Sequence, residues 1–517
     1  MSEEDPRILK LREMRKRALL GGGEDRIAKQ HAKGKMTARE RINFLLDPGT
    51  FQEINTFILQ QNSLISNSEE LIPGDGVVTG SGTIEGRLVY VYAQDFTVSG
   101  GALGEMQSRK ICQVMDLAVQ SGVPVVGLID SGGARIQEGI GSLHGYAEIF
   151  RRNAQYSGII PQISVIMGPC AGGAAYSPAL TDMIIMVDKA SMMFLTGPEV
   201  IKSVTGEIVD SESLGGGETH SALSGLSHLL AANEKEALQL VRQALSYLPS
   251  NSMENPPTQA DAPRADNLVE SLNSAIPADP SAAYNMHELV QQVVDPGSFF
   301  EIMGLFARNA LIGFARIGGM PIGVVAQEPS QMAGVIDMDA ADKIARFVRL
   351  CDCYNLPLVT FVDSPGFLPG TAQEHRGIIR HGAKALFAYS EATVPKVSVV
   401  TRKAYGGAYI VMSSKCLDTD TCFAWPSAEI AVMGPEGAVN ILYRKQVEAA
   451  EDPAAERARL VKEYRETYLN PYRAASTGDI DEVIEPRETR MRIYAALQAL
   501  ATKSVTPLPR KHGNMPV

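Results

Sequence analysis

Two proline-led apolar runs constrain this chain more than any other feature: VPVVGLIDSGGARIQEG from Val123 and LPLVTFVDSPGFLPG from Leu356. In each, a proline leads five mostly apolar residues to an aspartate (Asp130, Asp363), and a turn of small residues follows at once. Further on, IPQISVIMGPCAGGAAY (Ile160 to Tyr176) matches VPKVSVVTRKAYGGAYI (Val394 to Ile410), with the Gly-Gly pair beginning 11 residues after the proline both times. The offsets are 357 − 124 = 233 and 395 − 161 = 234, and 233 also relates Ala93-Gln94-Asp95 to Ala326-Gln327-Glu328. Several matches in one register mean that the chain is a duplication, two copies of one domain. DPGTFQEI at Asp47 recurs as DPGSFFEI at Asp295, an offset of 248 against 233, so the first copy carries 15 extra residues near QNSLISNSEELIPGDG, expected as a surface loop.

Within each copy strand-like runs alternate with helix-like ones, which predicts an α/β fold. QSRKICQVMDLAVQSG precedes the Pro124 run and AADKIARFVRLCDCYN precedes the Pro357 run. The stretch from Pro249 to Pro280, with six prolines, reads as a linker, which divides the chain into residues 1–265 and 266–517. Residues 1–46 and 446–470 read as charge-rich helices with solvated or subunit-contacting faces.

A formal net charge of −11 argues against a protein whose main business is neutralising nucleic-acid phosphates. No stretch offers 18 uninterrupted apolar residues, so no membrane span is expected. The charge-rich start is neither a secretory signal nor a transit peptide, and six cysteines form no disulfide framework; the expected location is the cytoplasm. Cys351 and Cys353 have no second pair at zinc spacing, and the eight histidines do not cluster, so no metal is expected.

The usual catalytic signatures are absent: no Walker A loop, no HExxH, no GxSxG elbow. Cys170 resembles a thiol nucleophile only superficially, since its partner in the repeat is Ala404. What recurs is backbone. Glycines gather where strands end, at Gly132-Gly133, Gly172-Gly173, Gly366 and Gly406-Gly407, where neighbouring N–H groups can converge on one oxygen. Two such turns and no side-chain base fit a reaction that develops two oxyanions, stabilised by preorganised amides.

The segments KQHAKGKMTARERI, AQDFTVSGGALGEM, DSGGARIQEG, IMGPCAGGAAYSPALTD, TGPEVIKSVTGE, DSPGFLPGTAQEHRGIIRHGAK, EATVPKVSVVTRKAYGGAY and AEIAVMGPEGAVNI resemble the carboxyltransferase (β) subunits of biotin-dependent propionyl-CoA and acetyl-CoA carboxylases and the related α subunits of sodium-pumping methylmalonyl-CoA decarboxylases. The resemblance covers nearly the whole chain. It implies two tandem crotonase-like domains, a hexamer with active sites at dimer interfaces, and transfer of a carboxyl group from carboxybiotin to the α-carbon of a short acyl-CoA. Loss of the carboxyl group from biotin and of the α-proton from the thioester would each leave an oxyanion. It further implies that Gly172 and Gly173 hold the thioester oxygen, strict repeat register equally allowing Gly173 with Ala174, and that Gly407 and Ala408 hold the biotin carbonyl. Gly132, Gly133 and Ala134 should line the CoA side, and Pro365 and Gly366 the biotin side. Ile410 stands where propionyl-preferring relatives commonly have aspartate, which leaves the acyl preference open. The chain lacks a biotin-attachment lysine motif and an ATP-grasp region, so biotin is expected on a partner, a biotin carboxylase or carboxyl carrier subunit. The competing readings are a decarboxylase subunit using the same site in reverse, and a scaffold of the same fold without turnover.

Overall fold

The computed structural model describes residues 4–60, 72–280 and 282–516. The chain forms two compact units, Met1–Glu254 and Asn255–Val517. In the first, the sheet order is β1 (Gln52–Ile54), β2 (Val77–Ile84), β3 (Arg87–Gln94), β4 (Val125–Ser131), β5 (Gln162–Ala171), β6 (Met183–Val187) and β8 (Leu229–Ala231), with β7 (Met192–Phe194) pairing with β5. In the second it is β9 (Phe300–Ile302), β10 (Ala310–Ile317), β11 (Met320–Gln327), β12 (Leu358–Ser364), β13 (Lys396–Tyr405), β14 (Thr421–Ala424) and β16 (Glu482–Val483), with β15 (Glu429–Ala431) on β13. The first three strands of each sheet are antiparallel and the rest parallel.

The duplication is thus structural. Strands β10 to β12 begin 233 residues after β2 to β4, β13 begins 234 after β5, and β9 begins 248 after β1. The extra residues fall between β1 and β2, partly in 61–71, outside the described residues. Both hairpins close through two-residue turns with positive φ, Glu85-Gly86 and Gly318-Gly319, the backbone twist that suits right-twisted strands. Every residue of β4 and of β12 is buried, as expected of parallel strands covered on both faces. Helix Glu105–Ser121 packs on one sheet and Met338–Cys353 on the other through their apolar faces.

A repeated device holds each entry hairpin to its helix. Lys110 is buried with its Nζ donating to the carbonyls of Gly74 (2.9 Å) and Val77 (2.5 Å). Its repeat partner Lys343 donates to Met303 (2.9 Å), Phe306 (2.8 Å) and Ala310 (2.7 Å). Burial lowers their pKa values to about 8 and about 7.

The proline-rich stretch is not a free linker. Arg316 donates to the Pro257 carbonyl (2.8 Å), Gln259 N–H to Gly319 (3.1 Å), and Leu272 is in the core of the second unit, so the stretch from Asn255 onward packs with that unit. Among the described residues no helix is long and apolar enough to cross a membrane.

Candidate active site

In an open sheet with parallel strands, ligands gather beyond the carboxyl ends. Here those ends are built alike in both units. The β4–β5 ladder breaks register between Ile129 and Ser131, and the β12–β13 ladder between Val362 and Ser364, bulges that aim Asp130 and Asp363 inward and release the turn that follows. Ser131 Oγ accepts from Gly133 N–H (3.2 Å), and Ser364 Oγ from Gly366 N–H (3.3 Å). The carbonyl of Gly133 accepts from Leu103 N–H (2.8 Å), that of Gly366 from Ile336 N–H (3.0 Å). The copies differ at one amide: Gly132 N–H donates to Gly100 (3.0 Å), whereas its counterpart is Pro365, which has none to give.

Strands β5 and β13 each run through a positive-φ glycine, Gly172 (61°) and Gly406 (58°), into a short helix, Gly173–Ala179 and Gly406–Val411. The Gly172 amide donates to the Phe194 carbonyl of β7 at 3.0 Å, so it is already engaged. In that helix the first amide with a carbonyl acceptor is that of Ala175, bonded to Gly172 O at 3.1 Å, which leaves Gly173 and Ala174 as the first-turn donors. Of the two pairs left open by the sequence, Gly172 with Gly173 loses a donor to the sheet and Gly173 with Ala174 keeps both. Gly407 and Ala408 occupy the equivalent first turn of the second unit.

The turns meet within each unit. A Cβ placed on Gly133 would lie 3.1 Å from the Ala171 carbonyl, which brings Gly132, Gly133 and Ala134 beside Gly172 and Gly173. A Cβ on Gly407 would lie 3.7 Å from the ring of Phe367, so Pro365 and Gly366 adjoin Gly407 and Ala408. Bulk is exchanged between the copies. Tyr146, 5% exposed, lies against Gly173 from the helix Ile140–Tyr156, while Phe367, in the loop position of Ala134, lies against Gly407. Ile410 is 43% exposed on its short helix, as is its repeat counterpart Tyr176 at 51%. It therefore lies at the surface of its unit rather than in the core.

The buried carboxylates under these turns take their counter-charges from different places. Asp130 is paired with Lys35 (2.7 Å) and Arg41 (2.9 Å), and Arg41 continues to Glu234 (2.5 Å). Asp363 is paired with Arg402 (3.0 Å) and accepts from Lys403 N–H (3.0 Å), and the Arg402 guanidinium stacks 4.8 Å above the Tyr284 ring. Burial pushes the Asp363 carboxyl above its ordinary range, with Arg402 opposing the shift. The repeat position of Arg402 is Gly168, where any Cβ would collide with the Asp130 carboxylate. Breaking such a pair by removing one partner costs about 3–5 kcal/mol, because a charge is left buried alone. These pairs fix the strand ends from which the amide turns project.

Cys170 and His381, which sequence alone offers as possible reagents, are both engaged. Cys170 is fully buried, its Sγ donates to Ala174 O at 3.2 Å, and burial pushes the thiol pKa up, so it is not a thiolate nucleophile. His381 pairs with Asp342 (2.8 Å). Among the described residues no group of three or more His, Cys, Asp or Glu could hold a metal ion. The arrangement offers hydrogen-bond donors in fixed positions, the requirement for stabilising oxyanions.

Three side chains that pack or pair beneath the turns escaped the sequence reading. Arg41 sits in a charge-rich segment read as a solvated or subunit-contacting face, yet it is 1% exposed within its own unit. Tyr146 carried no motif, and Arg402 was legible only as a mismatch in the repeat, an arginine opposite a glycine.

The carboxyl transferase domain model matches residues 29–515. The propionyl-CoA carboxylase carboxyltransferase subunit of Haloferax mediterranei is 55% identical over 100% of both chains, and the methylmalonyl-CoA decarboxylase subunit alpha of Propionigenium modestum is 51% identical over the same extent. The crystal structure of transcarboxylase 12S, a hexamer with methylmalonyl-coenzyme A bound, superposes with a TM-score of 0.97 at 49% identity, covering 100% of this chain and 99% of that one. The two α/β units bear out the duplication read from the sequence and are consistent with the tandem crotonase-like architecture that the resemblance implies. The chain belongs to the carboxyl transferase domain family and is an acyl-CoA carboxyltransferase of the propionyl-CoA carboxylase type.

Proposed function

We propose that the first-unit turn holds the acyl-CoA thioester oxygen through the amides of Gly173 and Ala174, and the second-unit turn holds the biotin carbonyl oxygen through Gly407 and Ala408. The observation that carries this reading is the duplicated strand–glycine–helix turn, with the Gly172 amide withdrawn into the sheet. Carboxybiotin, carried by a partner carboxylase or carrier subunit, supplies the carboxyl group and a nitrogen able to take the acyl α-proton. The residues present suit it: the Phe367 ring beside Gly407 and the exposed Ile410 give an apolar wall for a bicyclic ring, and the amides face its one strongly polar oxygen. This chain's own work is then to bind both oxygens, to orient the α-carbon, and to stabilise negative charge as it forms on the thioester oxygen. No side chain of the chain need exchange a proton.

The working assembly in this reading is a hexamer, which the likeness to hexameric transcarboxylase 12S supports, and in it the first unit of one subunit serves with the second unit of another. The same site run in reverse would serve a decarboxylase subunit, the name carried by a relative of 51% identity. Subunit mixing tests the assembly. A Gly173→Pro subunit and a Gly407→Pro subunit, each inactive alone, regain part of the wild-type carboxyl-transfer rate when co-expressed; assembled mixtures with no activity at any ratio contradict shared sites.

A further inference from the structure

We propose that Arg465 is a positioning residue for the amide turn of the second unit, acting on it through Glu429 and Tyr405; that the ligand so affected is biotin rests on the reading above. A second exchange of bulk separates the two copies. Strand β7 lies beside β5 with Phe194 opposite Ala171, and β15 lies beside β13 with Ala431 opposite Tyr405. The two pairs are equivalent in register, so each copy sets one large ring against one alanine, but on opposite strands. The ring does the same packing in both: a Cβ on Gly197 would meet Phe194 at 3.4 Å, and a Cβ on its counterpart Gly434 would meet Tyr405 at 3.3 Å. Filling that space therefore does not require a tyrosine. What differs is where the ring is anchored and what it carries. Tyr405 stands two residues before Gly407, on the strand that leads into the donor amides, and it has a hydroxyl where phenylalanine has none.

The hydroxyl is used. Tyr405 OH donates to Oε2 of Glu429, the first residue of β15, and Glu429 Oε1 is ion-paired with Arg465 Nε at 3.0 Å. Burial and the bond to Glu429 push the phenol well above its ordinary range, so it remains a donor. The Glu429 side chain is 9% exposed, and a carboxylate so placed needs a counter-charge; among the described residues Arg465 is its ion-pair partner. Glu436, the other carboxylate near Arg465, lies 3.9 Å away and is largely exposed. The first copy has none of this. Met192 stands at the register position of Glu429, as Ala171 does at that of Tyr405. Arg465 itself belongs to added chain: the start of the helix Pro435–Leu442 precedes that of β16 by 47 residues (482 − 435), against 31 (229 − 198) from the helix Pro198–Thr205 to β8. The added helix, Pro453–Tyr468, is held by a small core of its own, Val439, Val447 and Leu460 with Tyr464 against it, so its packing does not depend on Arg465. A charged brace thus runs from this helix to the strand end that carries the amides of Gly407 and Ala408, in one copy only.

The test pairs two measurements on the assembled full-length protein: steady-state transfer from methylmalonyl-CoA to free biotin, and calorimetric titration of propionyl-CoA, which needs no turnover. Arg465→Ala leaves Glu429 charged, buried and held by one donor, and should lower kcat/KM for biotin about tenfold while the Kd of propionyl-CoA is unchanged. Tyr405→Phe, which keeps the ring and removes only the hydroxyl, should show a loss of the same kind, confined to biotin. Arg465→Ala/Glu429→Gln should regain at least about threefold, since a glutamine accepts from Tyr405 OH without needing a counter-charge. Arg459→Ala, on the same helix and paired at the surface with Glu456 and Glu463, should change nothing. Wild-type kcat/KM for biotin in a folded Arg465→Ala protein, a loss that Glu429→Gln does not relieve, or an equal loss for biotin and propionyl-CoA overturns the brace. A variant that weakens propionyl-CoA and spares biotin keeps the brace and overturns the assignment of biotin to this turn.

Discussion

Gly173→Ala tests the acyl-side turn with the smallest change available. A Cβ there would stand 3.0, 3.2 and 3.2 Å from Cδ2, Cε2 and Cγ of Tyr146, against an ordinary contact of 3.4–4 Å. Something must retreat by about half an ångström, and Tyr146 is ill placed to do so: it is 5% exposed, stacked on Phe150 at 5.8 Å, and packed in the core of the first unit. Overpacking of this kind costs about 1–3 kcal/mol, shared between lost stability and displaced backbone. Since a misplacement of about 1 Å costs on the order of 10²-fold in rate, half of that should cost about tenfold in kcat even though the alanine keeps its amide. The assay is carboxyl transfer from methylmalonyl-CoA to free biotin, with no ATP, beside the thermal midpoint. Tyr146→Leu in the same chain should return at least about threefold of the loss, because it removes the ring and not the donor. Gly173→Ala with wild-type rate and wild-type midpoint would refute the close packing of Tyr146 on the donor, and a loss that Tyr146→Leu deepens would refute its cause.

Ile410→Asp should redistribute kcat/KM among acetyl-, propionyl- and butyryl-CoA by about tenfold, or about 1.4 kcal/mol, without lowering the thermal midpoint, since a half-exposed site does not bury the new charge; unchanged ratios in a folded variant remove Ile410 from the acyl pocket. Cys170→Ala should stay within about threefold of wild type, and iodoacetamide at pH 8 should label exposed Cys416 while sparing Cys170 in the native protein; a dead but folded Cys170→Ala, or rapid labelling of Cys170, would restore a thiol mechanism.

The duplication was legible because it is a property of register: Pro124 and Pro357, and the two Gly-Gly pairs, keep their spacing whatever the tertiary packing does. The glycine turns were legible for the same reason, since a positive-φ residue at a strand end is written as glycine. Which amides are free was not legible. That depends on Phe194 of β7, a strand brought beside Gly172 by folding, whose carbonyl takes one donor away. Nor could the counter-charges of Asp130 be read, because Lys35 and Arg41 come from a segment whose composition says solvated or subunit-contacting surface. The proline-rich 249–280 stretch misled in the opposite sense. Its residues look like a linker, yet Arg316 and the Gly318-Gly319 turn supply partners that bind it to the second unit.

The central claim is that backbone donors, one turn per half of the chain, perform the catalysis. It is tested most directly by comparing Gly407→Pro with Gly407→Ala in the free-biotin transfer assay. Proline fits the first turn of the short helix but has no N–H, while the alanine Cβ would rest at ordinary contact, 3.7 Å, from Phe367 and keep the donor. The account predicts that Gly407→Ala remains within about threefold of wild type and that Gly407→Pro loses about 10²-fold or more in kcat at an unchanged thermal midpoint. Equal rates for the two folded variants would contradict it.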